Sequence, residues 1–143
     1  MNFKYFNFPI YKDSTDNIQT LLNNSNSNFH VFVRAEDWNE TNQDLLKKIL
    51  GAIELDIKKE LEIYILKEGQ EIHLSGQLNR NQDHKYLVFG INLSRIGLQV
   101  KTTVYKILEI GFIKILVAHS LTELEKNISF KKQLWAELKA LKS

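Results

Sequence analysis

Tyr86-Leu87-Val88-Phe89-Gly90-Ile91 decides the fold. This run has no charged side chain and is bounded by Lys85 and Asn92, as a strand covered on both faces of a sheet requires, because such a strand has no wet face on which polar residues would alternate. A second apolar run, Phe112 to Ala118, interrupted by Lys114, reads as another strand and leads into His119-Ser120-Leu121-Thr122-Glu123. There Ser120 and Glu123 have capping-box spacing and mark a strand-to-helix turn. Phe130, Leu134, Leu138 and Leu141, spaced by four, four and three, then predict a final amphipathic helix that also carries Trp135. On the other side of the deciding run, Phe29 to Ala35 and Leu61 to Leu66 read as two more strands, the latter interrupted by Glu62. Between them Thr41 or Asn42 caps a helix whose Leu45, Leu46, Ile49, Leu50 and Ile53 share one face.

Two stretches are less regular. Gly69 to His84 is polar and loop-like, apart from a candidate edge strand at Ile72 to Leu74. Leu93 to Glu109 reads either as a loop with a short helix or as an extended piece ending in Val104 to Leu108. Strands separated by helices and long connections imply a three-layer α/β/α domain with a central, mostly parallel sheet of four strands. That domain spans residues 29–143. Before it, residues 1–28 combine an aromatic peptide with the polar linker Asn23-Asn24-Ser25-Asn26-Ser27-Asn28, which reaches about 20 Å at full extension. The peptide crowds Phe3, Tyr5, Phe6, Phe8 and Tyr11 around Pro9, and Ile18, Leu21 and Leu22 follow at helical spacing. It suits either a strap packed on the domain or a partner-binding peptide with Phe3, Tyr5, Phe6 and Phe8 as anchors. At the other end of the chain, Trp135 sits at the edge of its helix's buried face, where it either seals the core or anchors a partner.

Composition excludes several chemistries. A chain of 143 residues, 43% hydrophobic and 25% charged, buries roughly 70% of its unfolded surface and needs no staple to fold. With no cysteine there is no disulfide framework, thiolate metal site or cysteine nucleophile, which fits a cytoplasmic protein. Apolar runs such as Ile110 to Ala118, broken by Lys114, fall short of the roughly 20 residues that span a bilayer, so no membrane contact is expected. The N-terminus does not read as a signal peptide. Nineteen basic against 17 acidic residues give a net charge of +2, too near balance for a nucleic-acid footprint, so any DNA contact is weak or indirect.

No glycine-rich phosphate loop is present, and Gly90 reads as a tight turn at a strand end. His30, His73, His84 and His119 show no pair at ligand spacing, so neither a metal nor a cofactor is expected. What remains is the rim formed by the carboxyl ends of parallel strands, the face where such sheets bind ligands. Glu36 and Asp37 follow the first strand, Phe89-Gly90 and Asn92 the third, and His119-Ser120 the fourth. Asp37 and His119 on one rim can orient a water and stabilise developing negative charge, as hydrolysis of an N-glycosidic bond needs. Polar residues at strand ends equally serve to cap helices and face solvent.

Tyr86 to Gly90, Ile96-Gly97, and Ile113 to Ala118 with His119-Ser120-Leu121 resemble the second half of the uracil-DNA glycosylase fold. In that family an apolar strand ends in an aromatic-glycine pair, and the last strand leads into a histidine-proline-serine motif. Here the proline is missing. The first glycosylase motif, a glycine, aspartate, proline and tyrosine, is replaced by Ala35-Glu36-Asp37-Trp38-Asn39.

A second resemblance spans roughly Phe29 to Leu141. Ser120-Leu121-x-x-Leu124, followed by Lys131 or Lys132 and by Leu134-Trp135-x-x-Leu138, is similar to the end of the psi subunits of the bacterial DNA polymerase III clamp-loader complex. Psi proteins keep the glycosylase-like fold without its catalytic residues, and they carry a mobile aromatic peptide ahead of a linker. The resemblance implies a non-catalytic adaptor that binds clamp-loader subunits and a chi-like subunit. The alternatives are a divergent glycosylase using Asp37 and His119, and an α/β interaction domain outside replication.

Overall fold

The computed structural model describes residues 28–53, 61–70, 72–74 and 83–142. Side chains of a strand point alternately to opposite faces, and here both faces are apolar. On β1 (Phe29–Arg34), Phe29, Val31 and Val33 enter one core while Phe32 enters another. β3 (His84–Phe89) divides in the same way, Leu87 and Phe89 against Tyr86 and Val88. β5 (Ile113–Ala118) sends Leu116 and Ala118 one way and Ile113, Ile115 and Val117 the other.

The sheet runs β2-β1-β3-β5-β4, where β2 is Leu61–Leu66 and β4 is Leu108–Ile110. The first four of these are mutually parallel, and β3 lies at the centre, as its uncharged run requires. The expected four strands become five. The addition, β4, pairs antiparallel with β5 through a two-residue turn at Gly111-Phe112 and sets Glu109 opposite Lys114, with 4.0 Å between their charged atoms. Three residues are too short a stretch to show a period, so the alternative of a loop with a short helix accounts only for the 3₁₀ turn Leu93–Ile96. The candidate strand at Ile72 to Leu74 does not join the sheet. Its main chain instead donates to that turn, from Ile72 to Arg95 O at 3.1 Å and from Leu74 to Ile96 O at 2.9 Å.

The described α-helices cover one face. α1 (Glu40–Ala52) contributes Leu45, Leu46, Ile49 and Leu50, α2 (Leu121–Lys126) Leu121 and Leu124, and α3 (Ile128–Lys142) Leu134, Leu138 and Leu141. Phe130, Trp38 and Ile107 pack at the margin of this core, and Trp135 is half-buried. The opposite face is covered, among the described residues, by Ile72, Leu74 and the segment Ile91 to Leu98. The helices start on side-chain caps. Asn39, rather than Thr41 or Asn42, accepts the Asn42 main-chain N–H at 2.9 Å and caps α1. Ser120 caps α2 as the sequence predicts, accepting from Glu123 N at 3.2 Å, and Asn127 accepts from Phe130 N at 3.2 Å to open α3.

Candidate functional site at the carboxyl rim

Beyond Arg34 the chain turns through a 3₁₀ segment, Ala35–Asp37, that swings Asp37 back under the rim until it is only 2% exposed. A carboxylate so buried must be neutralised or hydrogen-bonded. Asp37 is both. Arg34 donates to its two oxygens, from Nε at 2.6 Å and from Nη2 at 3.0 Å, and Thr122 Oγ donates at 2.8 Å. Asn42 completes the knot by donating from one amide to the Asp37 carbonyl at 2.8 Å and to Thr122 Oγ at 3.1 Å. The hydrogen bond to Asp37 in turn pushes the Arg34 guanidinium pKa above its ordinary value. Four side chains thereby join the end of β1 to the first turns of α1 and α2.

His119, at the end of β5, is held by a different group. Its Nδ1 lies 2.8 Å from the Tyr105 hydroxyl, and its main-chain N–H donates to the same oxygen at 3.3 Å. One tyrosine hydroxyl thereby holds both the ring and the main chain of His119. The ring stacks on Phe130 with centroids 3.8 Å apart and planes 9° apart. Tyr105 is 8% exposed and adopts φ 61°, a left-handed conformation that tyrosine rarely takes, secured by its N–H donating to Val117 O at 2.9 Å. Burial pushes the Tyr105 hydroxyl pKa up.

Asp37 and His119 therefore share a rim but do not meet. Their strands flank β3, which sets the strand ends about 10 Å apart. Glu36 is exposed, and Asn92 turns its side chain back to accept from Ser94 N at 3.0 Å. Gly90 takes φ 68°, where a Cβ would lie 2.7 Å from Ser120 Cβ and 2.9 Å from Ser120 Cα, so its role is close packing of the β5–α2 turn. Nearby, Ile91 to Leu93, Val100 to Thr102 and Val117 line an open cavity of about 390 Å³.

Sequence reading places Asp37, His119, Ser120 and Asn92 on the rim correctly. It misses Arg34, Asn42, Tyr105 and Thr122, of which only Arg34, three residues from Asp37, carries a signal in its spacing. The anchors Phe3, Tyr5, Phe6 and Phe8 lie outside the described residues. The histidines, scattered in sequence, include two that meet: His30 Nε2 is 3.1 Å from His84 Nδ1. No cluster of three or more metal-ligating side chains occurs among the described residues, and no helix there is long and apolar enough to cross a membrane. Comparison with known protein families, with curated proteins and with solved structures finds no match to this chain.

Proposed function

We propose that this chain is a non-catalytic adaptor subunit of the DNA replication machinery, a psi-like domain of glycosylase-like α/β/α design that bridges the clamp loader and a second, chi-like subunit. The observation that carries this reading is the state of Asp37. A general base must reach a water with a lone pair, and here the carboxylate is buried under Arg34 and Thr122, with all three contacts at 3.0 Å or less. The rim thus serves to join β1, α1 and α2. The second support is the pattern Ser120-Leu121-x-x-Leu124 to Leu134-Trp135-x-x-Leu138, whose leucines are all buried while Trp135 stays half-exposed on α3.

In this reading the aromatic residues Phe3, Tyr5, Phe6 and Phe8 engage the clamp loader and Trp135 engages the second subunit. Contact with DNA is indirect, and the protein works in the cytoplasm without a membrane. The test is affinity capture with the tagged full chain from its native host, followed by mass spectrometry. Clamp-loader subunits are expected among the captured proteins. A chain beginning at Phe29 should lose them while its melting temperature moves by no more than a few degrees. Free uracil released from uracil-containing DNA should stay at background. Release that disappears in Asp37→Asn or His119→Ala would replace the adaptor by a divergent glycosylase.

A further inference from the structure

The carboxyl rim holds an open cavity of about 390 Å³ that neither the Asp37 knot nor His119 uses. Its lining divides by burial. Ile91, Leu93 and Val117 are 2%, 3% and 8% exposed, whereas Asn92, Lys101 and Thr102 are open to solvent. The cavity is therefore apolar where it is deep and polar where it is wet.

The part made by Val100 to Thr102 is pinned at both ends to the apolar part. Leu98 N donates to Leu93 O at 3.0 Å, and Tyr105 N donates to Val117 O at 2.9 Å. The second anchor is the residue that takes φ 61°. Backbone strain of this kind persists only where the surroundings over-determine it, and it gathers at ligand sites. Between the anchors, residues 99–104 make no hydrogen bond among the described residues, so their main-chain groups and the Thr102 hydroxyl are free for a ligand.

Charge narrows what that ligand is. Lys101 is the one charged residue in the lining, and it forms no ion pair among the described residues. Asn92 accepts from Ser94 N through Oδ1 at 3.0 Å, which leaves its amide hydrogens to give. A cation, an amide donor and a hydroxyl beside an apolar surface, with no acid among them, complement an anion on an apolar body and oppose a cation. The volume lies near the small end of ligand sites, which run from about 300 to 1,000 Å³, so that body is a single ring or a short branched chain.

We propose that this cavity binds a small organic acid, its carboxylate held by Lys101 with Asn92 and Thr102, and its ring or branched chain lying on Ile91, Leu93 and Val117. The site shares no residue with Trp135 and stands whether or not the adaptor reading holds.

Phenylacetate is the probe, with phenylacetamide and phenethylamine as its neutral and cationic counterparts. Titrated into the nitrogen-15-labelled full chain, phenylacetate should shift the main-chain amide resonances of residues 91–93, 100–102 and 117, with a dissociation constant of about 1 mM or tighter. It should bind about fivefold more tightly than phenylacetamide, the size expected of one charge contact near the surface, and phenethylamine should bind least. Lys101→Met keeps an apolar stem and removes the charge, so the fivefold preference should disappear. Thr102→Asp puts an acid into the cavity and should reverse the order, amine over acid. Both positions are exposed, so the melting temperature of each variant should stay close to that of the unaltered chain. No saturable shift at these residues by about 20 mM phenylacetate, equal affinity for acid and amide, or an acid preference that survives Lys101→Met would overturn the site.

Discussion

Removing the Asp37 carboxylate distinguishes a structural knot from a catalytic group. Asp37→Ala deletes two hydrogen bonds from Arg34 and one from Thr122. Breaking a buried pair by removing one partner costs about 3–5 kcal/mol, because the other charge is left uncompensated. Here the low end applies, since the Arg34 side chain is 28% exposed and regains water. A loss of about 3 kcal/mol, at a slope of about 1.5 kcal/mol per molar urea, lowers the unfolding midpoint by about 2 M. Thr122→Val removes one of the three bonds and should cost about 1 kcal/mol. Because the two variants share that bond, the double variant should fall short of the sum of the single effects by about 1 kcal/mol. Urea unfolding followed by tryptophan fluorescence reads all four proteins. Carboxylates kept for catalysis are commonly a burden on stability, and their removal raises the midpoint. An unchanged or raised midpoint for Asp37→Ala would refute the knot.

Two further outcomes are expected. Trp135→Ala should cost about 1–2 kcal/mol, below the roughly 3–5 kcal/mol of a fully buried tryptophan, and should abolish capture of the second subunit; a midpoint shift of the larger size would make Trp135 a core residue. Burial raises the Tyr105 pKa, with Glu123 reinforcing the effect and the hydrogen bond to His119 opposing it. The unfolded tyrosine gives up its proton first, near pH 10, so stability falls as the pH rises beyond that point. Tyr105→Phe should flatten this alkaline loss while costing about 1 kcal/mol at neutral pH, and parallel curves from pH 8 to 11 would contradict the assignment.

The four parallel strands and the helices α1 and α3 can be read from the chain because each carries a local signal, an apolar run or a stripe at helical spacing, whereas α2 shows only as the capping-box turn Ser120 to Glu123 and its separation from α3 at Asn127 carries no signal. β4 cannot, since its three residues are held by pairing with β5 across a turn. The cap of α1 shows a subtler limit. Asn39 and Asn42 have the same capping chemistry, and the choice falls to Asn39 because Asn42 is drawn inward by Asp37 and Thr122. The site follows the same division. Asp37 and His119 are visible as polar residues after strands, but what each does depends on Thr122, 85 residues from Asp37, and on Tyr105 in a conformation no propensity favours. Likewise His30 and His84 lie 54 residues apart and meet only because β1 and β3 are neighbours in register.

The contact of Gly90 with Ser120 bears on how this chain can diverge. A side chain at position 90 would collide with main-chain atoms of the β5–α2 turn, 2.9 Å from Ser120 Cα and 3.1 Å from Ser120 N, which no rotamer change relieves. Substitution there becomes tolerable only in descendants whose turn has already moved outward, and a moved turn would carry Thr122 away from Asp37. Positions 37, 90, 120 and 122 are thus bound to change as a set across a lineage or stay fixed together. In distant descendants that joint pattern, more than resemblance along the strands, would mark common ancestry.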